Sequence, residues 1–155
     1  MQLRSSSARS EDLATVLPAF AGFYIRMIQE CGLEGSGFVD GAHQRLVAYF
    51  AGELAREAMG LFVMKAGDAV VGTAAAFIND GRTNQILRDR FATIAGVFVE
   101  PEFRGRGIAR ALTELTMAWA KEAGCTSIRL TASKSAEPLY RELGFADGGE
   151  LVLKL

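Results

Sequence analysis

Histidine and tryptophan occur once each in this sequence, cysteine twice and proline three times. The two cysteines, Cys31 and Cys125, lie far apart without metal-ligand spacing, so no metal site is expected. They read as reduced thiols in a cytoplasmic protein. Charge of one sign is also missing. Seventeen Lys and Arg against 18 Asp and Glu leave a formal charge of −1, which gives no global field for nucleic acid or anionic lipid. Any anion must therefore be held by a local arrangement. No apolar run approaches the roughly 20 residues of a bilayer span. The opening MQLRSSSARSEDL lacks the apolar stretch of a secretory leader. Neither nucleic acid nor a membrane is an expected partner. What remains is 155 residues, half of them hydrophobic, enough for one core and one domain over 1–155.

Residues 2–8 allow a short strand. Ser10 with Glu11 and Asp12 predicts a helix start, and Leu13, Val16, Leu17, Phe20, Tyr24 and Met27 recur at helical spacing. Pro18 predicts a kink or break inside that helix. Four glycines between Gly32 and Gly41 predict a loop, and Ala42 to about Ala58 a second helix. Strands follow at Leu61–Met64 and Ala69–Ile78 around a Lys65–Asp68 turn, and then at Phe91–Val99 beyond a polar stretch, Arg82–Arg90. Ile108, Leu112, Leu115 and Trp119 form the stripe of a helix from Gly105 to Ala123. Ile128, Leu130 and Ala132 alternate as a strand, a short helix covers Ser135–Leu143, and Glu150–Leu155 reads as a last strand. The order is two helices, a strand meander, then β-α-β-α-β, a mixed α/β or α+β domain.

The most informative segment is Val97-Phe98-Val99-Glu100-Pro101-Glu102-Phe103-Arg104-Gly105-Arg106-Gly107-Ile108-Ala109. A strand ends, proline turns the chain, and a glycine loop opens into a long helix. The first amides of a helix have no internal acceptor, and the dipole places partial positive charge there. Gly105 and Gly107 let a phosphate approach the backbone, and the charges of Arg104 and Arg106 complement a diphosphate. The Gly-Lys-Ser/Thr ending of a P-loop is missing. Arg110 occupies the third glycine position of a dinucleotide fingerprint.

Arg104-Gly105-Arg106-Gly107-Ile108-Ala109 instead resembles motif A of the GNAT acetyltransferase superfamily, Arg/Gln-x-x-Gly-x-Gly/Ala. Downstream, Ala136, Leu139, Tyr140, Gly144 and Phe145 are similar to its motif B, with Ser133 where many members carry asparagine. The resemblance implies a single-domain GNAT fold, a mixed twisted sheet of about six to seven strands flanked by about four helices. It implies acetyl-CoA as cosubstrate, with the amides of Arg104, Gly105, Arg106, Gly107, Ile108 and Ala109 around the diphosphate. Val97 and Val99 would lie along the pantetheine, between a splayed pair of strands. Ser133 would meet the pantetheine through a weaker or water-bridged contact.

By the same resemblance, Tyr140 gives a proton to the departing sulfur, and an amide near Val99 polarises the thioester carbonyl. Attack is direct, from a primary amine in a ternary complex. The general base is open among Glu100, Glu30, Glu34, Asp80 and water, and His43 reads as a solvated residue. The acceptor, a small molecule or a peptide amine, is also open, with Glu34, Phe38 and Asp40 as candidate contacts. Tyr24, Tyr49 and Phe50 either line the acceptor pocket or fill the core. Many relatives pair through C-terminal strands, which allows a homodimer. The competing readings are a non-catalytic acyl-CoA-binding or sensing module and a protein that binds ATP or NAD on the same loop.

Overall fold

The computed structural model describes residues 2–8, 12–79, 86 and 89–155. Its sheet has the strand order β1 (Leu3–Ser7), β2 (Met59–Ala66), β3 (Ala69–Asn79), β4 (Phe91–Val99) and β5 (Ser127–Arg129). The first four strands are antiparallel to their neighbours, and β5 joins β4 in parallel. Helices α1 (Leu13–Glu30) and α2 (Ala42–Ala55) precede β2. The longer α3 (Ile108–Glu122) and the short α4 (Glu137–Glu142) flank β5 in sequence.

The near-continuous apolar run of β2 is explained by two covered faces. Leu61 and Val63 pack with Val16, Leu17 and Phe20 of α1 and Phe50 of α2. Their neighbours Phe62 and Met64 point the other way, onto Ile108 and Leu112 of α3. Small residues let α3 approach closely, because a Cβ on Gly60 would lie 2.5 Å from the Trp119 ring. Phe50 belongs to this core. Tyr24 is partly buried beside it, and Tyr49 stays 56% exposed.

Five expectations are corrected. Of the kink or break expected at Pro18, the break does not occur, since α1 runs from Leu13 to Glu30 with Pro18 inside it. The proline sits on the exposed side, so its ring avoids the core and the cost is one missing backbone bond. His43 is not merely solvated, because its Nε2 meets the Pro18 carbonyl at 2.9 Å and ties α2 to α1. The sheet has five strands among the described residues rather than six to seven. Glu150–Leu155 alternates suitably for a strand but pairs with no strand among the described residues, leaving Leu151 at 96% and Leu153 at 83% exposure. A strand without a hydrogen-bonded neighbour has no ladder to hold it. Finally, β5 stops at Arg129, before Leu130 and Ala132, because β4 has already bent away.

Candidate functional site

That bend is local and has a cause. Ala75 of β3 pairs with Ala95 and Thr73 pairs with Phe98, so two β4 residues, Gly96 and Val97, oppose the single Ala74. Such a bulge bends its strand. Gly96 sits at φ 66°, and any Cβ there would lie 2.4 Å from the Phe20 ring. The Thr73 hydroxyl donates to the Gly96 carbonyl at 2.9 Å and fixes the distortion. In consequence β4 and β5 pair only at 91–93 with 127–129, and beyond those residues the strands diverge. Glu100 N–H donates to Val71 of β3. Backbone alternation therefore turns the Val99 N–H away from β3, toward the opening.

The chain leaves β4 through a 3-10 turn, Pro101–Phe103, and reaches α3 through Gly105 and Gly107, both at φ 76°. Nothing lies within 4 Å of where either glycine's Cβ would stand. The Arg104 N–H is committed to the Pro101 carbonyl, but the amides from Gly105 to Arg110 meet no acceptor among the described residues. The first helical bond is that of Ala111 to Gly107. These amides open on a cavity of about 490 Å³ whose lining includes Val99, Gly105, Gly107, Ile108, Ser135 and Leu139. The two sequence motifs thus meet across one cavity. Arg110 and Glu142, which form an ion pair, join α3 to α4 along it. A larger groove of about 600 Å³ near Cys125 and Phe145 includes none of the predicted site residues.

Side chains at the site behave less uniformly. Arg104 Nε donates to the Val99 carbonyl at 2.8 Å and Nη2 to Glu30 at 3.0 Å. Arg106 folds back over Phe103 and donates to the Glu102 carbonyl. Ser133 uses its hydroxyl to accept from Ala136 N–H at 3.3 Å, starting the turn into α4. Tyr140, on α4, is 7% exposed and packs edge-on to Phe145. Burial pushes its phenol above the ordinary value, so the group keeps its proton across the neutral range. Its hydroxyl has no hydrogen-bond partner among the described residues and is not sealed in the core.

Of the candidate bases, Glu100 takes two hydrogen bonds from Arg26 at 2.7 and 3.1 Å, and Glu30 is held by Arg104. Glu34 stands exposed in the α1–α2 loop, and Asp80 lies outside the described residues. Burial raises the Cys125 thiol, which suits an inert cysteine. No group of His, Cys, Asp and Glu among the described residues has the arrangement to hold a metal ion. No helix among them is long and apolar enough to cross a membrane.

Sequence reasoning missed Arg26, Gly96 and Arg110. Gly96 had a signal, since a glycine inside a strand pattern suggests a bulge. Arg26 had none, because a helix arginine four residues before a glutamate reads as a surface pair.

The structure thus presents a split α/β sheet with helix-start amides at the mouth of the split that meet no acceptor among the described residues. The profile of the Acetyltransferase (GNAT) family matches residues 26–145, and the chain belongs to that family. An uncharacterized N-acetyltransferase of Methanocaldococcus jannaschii is 33% identical over 102 residues, covering 64% of this chain and 44% of the relative. Human N-acetyltransferase 8B is 34% identical over 92 residues, covering 57% of this chain and 39% of the relative. The chain thus spans less than half the length of these curated relatives. A predicted acetyltransferase of Clostridium acetobutylicum, solved with acetyl-CoA, superposes with a TM-score of 0.80 at 26% identity, covering 99% of this chain and 96% of that one.

Proposed function

We propose that this protein is an N-acetyltransferase that uses acetyl-CoA to acetylate a primary amine by direct attack in a ternary complex. The observation that carries the reading is the opening between β4 and β5, which leads to free amides at the start of α3 and to the cavity beside α4. The residues fit the cosubstrate, because the glycine cradle is uncrowded and no charged side chain is needed where amides and the helix dipole already attract a diphosphate. When bound, acetyl-CoA supplies an activated thioester. The amides from Gly105 to Ala109 hold the diphosphate, and Val97 and Val99 guide the pantetheine. Ser133 orders the turn before α4 and stands close to that path.

For the chemistry, the Val99 N–H donates to the thioester carbonyl oxygen as charge grows there. The amine nitrogen forms the new C–N bond as the C–S bond breaks. The Tyr140 hydroxyl gives its proton to the sulfur, and the amine's surplus proton leaves to water. Water suits that role because Glu100 and Glu30 already serve arginines. Positioning two reactants side by side supplies much of the acceleration. The reading carries with it a cytoplasmic protein, and a homodimer is compatible with it.

Tyr140→Phe tests the assignment. Acetyl-CoA affinity is expected to stay unchanged, while turnover of any accepted amine falls by about a hundredfold or more. Unchanged turnover would remove Tyr140 from the mechanism. Tight acetyl-CoA binding with no transfer to any amine by the unaltered protein would favour a sensing module instead.

A further inference from the structure

Helix α1 and the exit from β4 carry mirrored charge patterns. Arg26 and Glu30 stand four residues apart and share one face of the helix. Glu100 and Arg104 stand four apart across the turn that leaves β4. The pairs cross between the elements. Arg26 donates from Nη1 and Nη2 to the two Glu100 oxygens, at 2.7 and 3.1 Å. Arg104 Nη2 reaches both Glu30 oxygens, at 3.3 and 3.0 Å. Phe98 serves both cations, with the Arg26 guanidinium 4.8 Å and the Arg104 guanidinium 5.3 Å from its ring centroid. Arg104 Nε donates to the Val99 carbonyl at 2.8 Å and closes the β4 turn from within.

We propose that Arg104, anchored by Glu30, is a positioning residue for the cofactor loop and not a phosphate ligand. Its planar fork joins two elements: the end of β4, through the Val99 carbonyl and the Phe98 ring, and α1, through a carboxylate. With that fork committed, the loop backbone is held in shape before any ligand arrives. The amides from Gly105 to Arg110 then provide the attraction for the diphosphate. The inference rests on the acetyl-CoA reading for its ligand, but the strut itself is a property of the ligand-free protein. All four charged side chains are partly exposed, between 24% and 46%, so water screens them and the effect of each is modest. The crossed arrangement also joins the helix that leads into the α1–α2 loop to the loop that holds the cofactor. The two sides of the site are thereby set against each other by a pair of ion bridges.

Glu30 gives the test its sign. Were Arg104 a phosphate ligand, Glu30 would compete with phosphate for it, and Glu30→Gln would tighten acetyl-CoA binding. As a strut, Glu30→Gln loosens the loop and weakens binding. Isothermal titration with acetyl-CoA on Glu30→Gln, Arg104→Gln and the double variant should show about a threefold to tenfold loss in each single variant, with the double no worse than either. Arg104→Lys should not rescue, because one ammonium cannot satisfy carbonyl and carboxylate in a single plane. Hydrogen exchange on the ligand-free variants should quicken together at Arg104, Phe103 and Cys31, whose amides are bonded in the turn and at the end of α1. Exchange in β2 and β3 should be unchanged, which verifies the fold. Tighter binding by Glu30→Gln, wild-type binding by Arg104→Lys, or unchanged exchange at those amides would overturn the strut. Failure of the unaltered protein to bind acetyl-CoA would instead overturn the proposed function, leaving the exchange comparison to decide the strut.

Discussion

The face of the molecule that presents the cofactor loop and the face that presents the α1–α2 loop are built from different materials. On the first, the groups offered are backbone amides held by a bulge, two left-handed glycines and a helix start. On the second, Leu33, Phe38 and Val39 project at 66%, 42% and 64% exposure from a loop that shares few contacts with the core. Backbone sites require particular residue types at fixed spacing, since only glycine tolerates both the φ and the close approach. Side-chain sites accept many solutions. A cofactor common to a family can therefore be read from letters, whereas an acceptor peculiar to one member cannot.

This contrast can be broken by mutation, most strongly in the packing beneath the cofactor loop. Leu112, on the inner face of α3, is fully buried, so Leu112→Ala should cost about 2–5 kcal/mol in urea unfolding. Leu33→Ala, in the exposed loop, should stay within about 0.5 kcal/mol. Comparable losses at the two sites would mean that the α1–α2 loop is as firmly built as the cofactor side. A somewhat smaller effect is expected at the bulge. Gly96→Ala meets both a positive φ and the Phe20 ring, and a loss of about 2 kcal/mol should accompany reduced acetyl-CoA affinity as the strands close. Retained affinity would separate the bulge from the opening.

The smallest effect concerns Tyr24 of α1, at the edge of the core beside Phe20 and Phe50. Burial first, and the neighbouring Tyr49 second, raise its phenol above the ordinary value. The folded protein thus holds that proton more tightly than the unfolded chain does. Stability is complete below about pH 10, where the unfolded phenol titrates, and declines as pH rises through the folded value. Thermal melts between about pH 9 and 11 should show a shallower alkaline decline in Tyr24→Phe than in the wild type. Identical slopes would place the titration elsewhere.

The same contrast explains what the sequence disclosed. The apolar run of β2 and the stripe on α3 were legible in the sequence, and the structure places them accordingly; of the turn expected at Lys65–Asp68, Lys65 and Ala66 prolong β2 and only Gly67 and Asp68 turn. The glycine loop and the helix bearing Tyr140 were legible because both match family motifs of fixed spacing, and they meet across one cavity. The terminal segment was misread because alternation signals the propensity for a strand but not the presence of a neighbour. The partners of Arg26, Glu30, Glu100 and Arg104 were hidden, because each joins residues 74 positions apart. Within α1 alone, Arg26 and Glu30 look like each other's partner. The tertiary fold re-pairs them.

The most direct test of the central claim is isothermal titration of acetyl-CoA, with ATP and NAD as controls, into the wild type and Gly107→Trp. The space above Gly107 is open, so an indole there fills the cradle without meeting the core, while its φ of 76° strains the loop backbone as well. The account predicts binding of acetyl-CoA in preference to the other nucleotides, abolished by the tryptophan. Equal or tighter binding of ATP or NAD, or acetyl-CoA binding that survives Gly107→Trp, would contradict it.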